Sequence, residues 1–470
     1  MITRRRWWYV AVGFAVMTSC ARYVPQPLEP RRDATALETR RLSDPGLARF
    51  IHTTDSAQAW PPASWSLHTL TLAGLYFNPA LDVARADLGV ARAAVVTAGG
   101  RPNPTLSSDV AALTHGSTTS PSVLNLIVGI PFVTAGKRGI QVRQARADAV
   151  ARALDVETAA WGVRTQVRDA ALEYWSAGRA VGFSSRAADG EATLVTLLRQ
   201  RQVAGEASAL DVGREEVALE RARAAQRADQ SRLAGARVQL AAAIGVPVEA
   251  LDGASFDFAA FSASLPAPPE RHAMRAAALL GRSDVRAALA NYAGAQAALQ
   301  LEVARQYPDL SLGTGLHWEQ ELQGLTITPA AAIPLLNRNQ GPIAEADARR
   351  TAAAARFTAL QAELLGQVDQ ALAAYATDRD AAQSADSAAN AQARLAERAV
   401  SLFRAGEFDR VDLESARVAA ALGRHDAVAA RTTALAALGA LESTTQVPQF
   451  GGSWHMPDVT ASADRRGRNP

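Results

Sequence analysis

Few side chains in this 470-residue chain are placed to do bond chemistry. The seven histidines stand at positions 52, 68, 115, 272, 317, 425 and 455. No two of them have the HxxxH or HExxH spacing that sets two imidazoles around one metal ion. His455 and Met456 form a soft-metal pair, but in a polar tail. The glycines of "LGTGLHW" (312–318) have no helix after them, so they are not a phosphate cradle. What remains is acid beside glycine: "GEASALD" at 205–211 and "GEFDRVD" at 406–412. A glycine in the left-handed conformation ends a helix. An acid just beyond it meets the positive end of the next helix dipole. Glu206, Asp211, Glu407, Asp409 and Asp412 all have that capping role open to them. This is the chemistry of turns and charge, not of catalysis, and it calls for no cofactor.

The one cysteine, Cys20, excludes an intramolecular disulfide. It follows "MITRRRWWYVAVGFAVMTS", in which Arg4, Arg5 and Arg6 precede an apolar stretch from Trp7 to Met17. About eleven apolar residues cannot cross a bilayer as a helix, which takes about twenty. They suit a secretory signal peptide over 1–19. The small residues before Cys20 resemble a bacterial lipobox, in which cleavage precedes the cysteine and the thiol then carries lipid. Ala21, a residue other than Asp, is the kind that permits export of such lipoproteins to an outer membrane. A plain signal peptide with an incidental cysteine is the alternative. The three arginines also account for the net charge of +3, since the other 46 basic residues balance 46 acidic ones. The basic pI therefore marks no nucleic-acid surface.

The elements that must hold the two acidic turns are long and helical. Within an N-terminal segment 20–77, residues 21–66 are rich in Pro and Arg and read as extended, with helix starting at Asn78 and Pro79 suited to its first turn. Helical patterns follow from about Gln141 to Gln202, Ser208 to Ile244, Asp284 to Gln306, Pro342 to Arg404 and Asp409 to Thr445. Residues 246–281 are a Gly/Pro/Ser-rich connector, and 446–470 read as a mobile tail. The chain repeats itself. Pro104 matches Pro308, Pro131 matches Pro334 and Gly205 matches Gly406, at offsets of 204, 203 and 201. Residues 78–245 and 282–445 are thus two copies of helix, strand, strand, long helix, tight turn, long helix. Helices of about sixty residues run about 90 Å. They belong in a coiled coil or a tube wall, with small Ala seams and Leu360, Leu364, Val368, Leu372 and Tyr375 as larger teeth.

Each copy also carries two short alternating segments. Leu124, Leu126, Val128, Ile130 and Phe132 share one face of 122–132. Leu310, Leu312, Leu316 and Trp318 share one face of 309–318, as do Leu325, Ile327, Ile333 and Leu335 in 325–335. The segment 105–113 alternates less cleanly. Polar loops at 114–122 and 319–324 join them as hairpins. Nine to eleven residues is the length of a tilted bilayer-crossing strand. Four strands cannot close a barrel, for which about eight is the minimum. An open edge in lipid leaves N–H and C=O groups unpaired. Strands in a membrane would therefore have to be pooled by several chains. The competing reading is a non-conducting, lipid-anchored coiled-coil scaffold in the periplasm, with solvated hairpins.

Over roughly residues 60–445 the chain resembles the TolC-like outer-membrane factors, the exit ducts of tripartite efflux and type I secretion machines. The resemblance rests on the duplicated unit, on "NPALDVARADLGVARAAVVTAGGRPNPTLS" (78–107), and on the paired "GE" turns. "CARYVPQPLEP" looks like the start of lipoprotein members that serve RND pumps, and "PFVTAGKRGIQVRQAR" (131–146) resembles the CzcC-type heavy-metal ducts. The resemblance implies a mainly α homotrimer: a twelve-stranded β-barrel in the outer membrane, four strands per chain, above a hollow α-barrel reaching into the periplasm. It implies as partners a periplasmic adaptor protein and an inner-membrane RND-type pump, with outer-membrane lipid around the barrel. Adaptor contact falls to the exposed tips, Val203, Gly205, Glu206, Arg404, Gly406 and Glu407. Threefold symmetry would make Asp409 and Asp412 a cation-favouring ring at the periplasmic gate, with Leu413 as an apolar constriction. The substrate, metal cation or organic compound, stays open at this stage.

Overall fold

A computed structural model of the chain describes residues 22–55, 58–112, 122–319, 322–449 and 458–460. Cys20, the signal sequence and most of the first hairpin loop lie outside the described residues. The chain is mostly helical. In order it runs α1 (Pro30–Glu38), α2 (Pro45–Thr54), β1 (Trp65–Ser66), α3 (Leu67–Phe77), α4 (Pro79–Ala98), β2 (Thr105–Ala112), β3 (Ser122–Phe132), α5 (Lys137–Val203) and α6 (Ala209–Ile244). After the connector, which contains β4 (Phe256–Asp257), come α7 (Ser283–Ala304), β5 (Leu310–Glu319), β6 (Leu322–Ala331), α8 (Gln340–Ala405) and α9 (Arg410–Thr445). The long helices α5 and α8 have 67 and 66 residues, about 100 Å each. Among the described residues no helix is long and apolar enough to cross a membrane.

The expectation of an extended segment over residues 21–66 is corrected, and helix begins before Asn78. Residues 30–77 hold α1, α2 and α3, and every residue from Thr69 to Phe77 is buried. A helix apolar on all sides carries no one-sided period, so α3 leaves no amphipathic signature. Its ends are nonetheless well marked. Ser66 Oγ accepts from Thr69 N at 3.2 Å. Asn78 closes α3 and opens α4, accepting from Ala80 N at 3.0 Å while its amide donates to Ala243 O at 3.0 Å. Pro79 is the first residue of α4. At Gly74 any Cβ would come within 2.9 Å of the Val167 side chain, so α3 lies flush on α5. One core joins Leu47 and Ile51 of α2, Leu70, Leu72 and Leu75 of α3, Val163 and Val167 of α5, Ile244 of α6, and Phe258 and Phe261 of the connector.

The described part of the tail is also tied down, against the expectation of a mobile 446–470. Gln446 Oε1 accepts from Ser283 N at 2.8 Å and from Ser283 Oγ at 3.0 Å. Val459 is buried, and its carbonyl accepts from Arg85 Nε at 2.8 Å.

The two repeats are joined at several levels, among them the middle of the long helices and the sheet. Midway along α5, Arg164 meets Glu442 of α9 at 2.9 Å and Arg168 approaches the same carboxylate at 3.6 Å, all three side chains being buried. Gly439 makes room, since a Cβ there would overlap the Arg168 guanidinium. At the sheet, β2, β3, β5 and β6 form one antiparallel sheet in that order. β3 of the first copy pairs with β5 of the second from Val123↔Glu319 to Phe132↔Leu310. The second hairpin is tighter than its sequence pattern suggests: β6 runs 322–331, so Ile333 and Leu335 lie beyond the strand.

Candidate functional site: the two hairpin tips and the open sheet

Each long helix ends in a tight turn built the same way in both copies. Gly205 and Gly406 have φ of +77° and +78°, the left-handed region that glycine enters without steric cost. Glu206 N donates back to Arg201 O at 2.8 Å and Glu407 N to Leu402 O at 2.9 Å, which satisfies carbonyls that the ending helix leaves over. The next helix then opens on a reciprocal cap. Ser208 Oγ accepts from Asp211 N at 3.1 Å, and Asp211 Oδ2 accepts from Ser208 N at 3.1 Å. In the second copy Asp409 takes the serine's place. Its Oδ1 accepts from Val411 N at 2.6 Å and Asp412 N at 3.0 Å, and Asp412 Oδ2 accepts from Asp409 N at 3.1 Å. Asp211, Asp409 and Asp412 are therefore cap residues.

One of them does more. Asp409 Oδ2 also accepts from Arg201 Nη2, at the end of the other hairpin. This ion pair ties the tips of the two repeats within one chain. The Arg201 guanidinium, followed by the backbone donors of α9, holds the Asp409 carboxyl below its ordinary range. Sequence reasoning misses Arg201. Its signal is an asymmetry between copies: at the 201-residue offset Arg201 aligns with Leu402, and Ser208 with Asp409, so opposite charges stand where the repeats differ.

The expected contact residues Val203, Gly205, Glu206, Arg404, Gly406 and Glu407 are all exposed. Val203 is 92% exposed, an apolar side chain standing in solvent at the end of a 67-residue helix. Leu413 differs from its expectation. It is 5% exposed within the single chain, as its mate Val212 is at 6%. Both fill the seam of their hairpin, so Leu413 offers no free apolar surface for a constriction.

Lys137 of the "GKR" segment is a structural tie. Its Nζ donates to Tyr307 O at 2.6 Å and reaches Asp309 Oδ1 at 2.8 Å, locking the start of α5 to the start of β5 across the repeats. Among the described residues, no group of three or more His, Cys, Asp and Glu side chains is placed to hold a metal ion.

At the far end from the tips, the sheet has two strands, β2 and β6, with no neighbour on their outer side among the described residues. One face is a field of exposed apolar side chains, running from Leu106 at 70% through Leu124, Leu126, Val128, Ile130 and Leu316 to Leu325 at 72%. Soluble proteins seldom leave so large an apolar face uncovered, and an unpaired edge is a template for another strand.

Comparison with known proteins agrees with this geometry. The chain matches the family described as "Outer membrane efflux protein" over residues 75–246 and 275–445, one stretch in each repeat. It is 27% identical over 350 residues to the cobalt-zinc-cadmium resistance protein CzcC of Cupriavidus metallidurans, covering 73% of this chain and 81% of that one. The fold resembles the outer-membrane channel OprN, with TM-score 0.66 and 19% identity over 91% of this chain and 98% of that one. It also resembles VceC of Vibrio cholerae, with TM-score 0.65 and 19% identity over 81% of this chain and 95% of that one. Two family matches in register with the two repeats, on a fold shared with outer-membrane channels rather than enzymes, place this chain in the outer membrane efflux protein family.

Proposed function

We propose that the chain is the exit duct of a tripartite efflux system and acts as a homotrimer anchored through lipid on Cys20. Three chains would contribute twelve strands to one closed barrel in the outer membrane. Their long helices would continue the passage as a tube through the periplasm. The observation that carries this reading is the sheet itself. Its apolar face suits lipid, but its two edges would leave ladder groups unpaired there, at several kcal/mol each. Pairing β2 of one chain with β6 of the next removes every edge at once.

The tips would receive the periplasmic adaptor protein, in series with an inner-membrane pump of RND type. The exposed Val203, Glu206, Arg404 and Glu407 are the contact residues, and the threefold-repeated Asp409 and Asp412 the selectivity ring. Conduction is passive: the duct binds its cargo weakly and lets it pass. For the cargo we favour divalent metal cations. The similarity to CzcC supports this, and so do the acids at the tip. Purified protein in planar bilayers should give discrete, long-lived conductance steps. Protein that inserts without conducting would favour the scaffold reading. Loss of the chain from its host should sensitise cells to cobalt, zinc and cadmium. Sensitisation to organic dyes alone would replace the metal assignment.

A further inference from the structure

Between the connector and the tips, α9 lies in the seam between α5 and α8. Gly190 of α5 sets it close on one side, where any Cβ would overlap the Val418 side chain of α9. Gly423 of α9 sets it close on the other, where a Cβ would overlap the Gln392 side chain of α8. Two adjoining cavities of about 410 and 460 Å³ run along this seam and share Phe183 and Arg424. Together they form a trough, with α5 and α8 as walls and α9 as floor. Small residues line it along the middle: Ala420, Ala421 and Ala427 of α9, Ala393 and Ala396 of α8. The connector closes one end, where Trp175 packs on Phe261 with ring centres 5.8 Å apart and Arg431 Nε donates to Phe261 O at 2.7 Å. From Arg431 to Glu414, near the start of α9, the trough runs about 26 Å.

Its arginines keep a spacing of seven. Arg417, Arg424 and Arg431 follow one another along α9, and Arg179 and Arg186 along α5. A seven-residue step returns side chains to one face of a helix packed on other helices. These five arginines share the trough with three acids, Asp189, Asp386 and Glu414, so positive charge is left over. Arg417 is paired with Glu414 at 2.8 Å, and Arg431 lies 3.7 Å from Asp386. Arg424 donates from Nη2 to Asn390 Oδ1 at 2.8 Å, a neutral partner. Arg186 lies over the Phe183 ring, 5.5 Å from its centre. Arg179 makes no ion pair among the described residues, and both Arg179 and Arg186 are exposed. A guanidinium keeps its charge at any working pH.

We propose that this trough is a docking surface, separate from the tips, for an α-helix of a partner protein that carries one acid every seven residues. A helix laid along the trough meets an arginine every two turns. Acids at the same interval on its own surface pair with them, and the alanine floor lets its backbone approach. The proposal takes from the duct reading only that this side faces outward, since a connector lying inside the tube would obstruct it.

The test uses detergent-extracted full-length protein and a labelled, alanine-rich synthetic helix of about 21 residues with one glutamate per heptad, read by fluorescence anisotropy. A second peptide of the same composition has its glutamates spread around the helix. The heptad peptide should bind, and binding should weaken as salt rises. Reversing both Arg179 and Arg186 to Glu should weaken it at least about tenfold. Reversing Arg31 and Arg32 of α1 instead, the same change of charge on another surface, should leave it as it was. Failure of the heptad peptide to bind overturns the proposal, as does undiminished binding to the Arg179→Glu, Arg186→Glu protein. Equal binding of the two peptides means a bare anion-attracting surface and overturns the helix assignment. The trough is complete within one chain, so its outcome is separable from that of the duct. Protein that conducts in bilayers but takes up no peptide loses the trough alone, and protein that binds the peptide without conducting loses the duct alone.

Discussion

Glu191 links the charge state of the first hairpin to pH. It lies on α5, apposed to Glu215 on α6. Burial first, then the hydrogen bond and repulsion from Glu215, push its carboxyl up to about 7. Its Oε2 is buried without a hydrogen-bond partner among the described residues. A raised carboxyl means that the folded hairpin holds a proton which the unfolded chain releases at lower pH. Stability of this hairpin should therefore fall as pH climbs from the ordinary glutamate range through about 7, then level off. Hydrogen exchange along α5 and α6 would show it, and Glu191→Gln should flatten the profile; an unchanged profile would contradict the assignment. Nothing in the sequence marks this pair, because its members stand far apart along the chain and only the pairing of α5 with α6 brings them together. The buried Glu442 is equally hidden. Removing it by Glu442→Ala takes the paired carboxylate from buried Arg164 and the second of two carboxylates from Arg168, which keeps Asp169; the loss should cost about 3–5 kcal/mol, read as an earlier urea midpoint. No change in midpoint would mean that the knot does not bear on stability.

The tip elements were legible because their signals are local. A glycine, an acid and a capping residue within a few positions specify the turn at Gly205 and again at Gly406. The tie between the two tips was not legible, since Arg201 and Asp409 lie in different repeats. It yields a separable prediction. Asparagine can serve as a cap as well as aspartate, so Asp409→Asn keeps α9 intact while removing the ionic bond to Arg201. Conductance should rise and cation preference fall. Equal conductance and selectivity in the variant would exclude these tips from the gate. The pair is an ionic one at neutral pH, and it weakens only as pH drops through the lowered Asp409 range. The helix α3 shows the opposite limit of reading a sequence. Burial on every side removes the one-sided pattern that marks a helix, and the apolar run "LTLAGLYF" offers no period to read.

At the scale of the whole molecule, the duplication and the four strands could be read from alternation and spacing, and their register follows from keeping one face apolar. Among the described residues the outer edges of β2 and β6 have no partner strand, and in lipid that defines a need for neighbours. The central claim is that these edges are sealed by copies of the same chain. Its most direct measurement is the mass of detergent-extracted protein before and after boiling. The account predicts an SDS-resistant species of three chains in the unheated sample, collapsing on boiling to the 49.5 kDa monomer or its processed form. A chain released without detergent and monomeric before heating would contradict it.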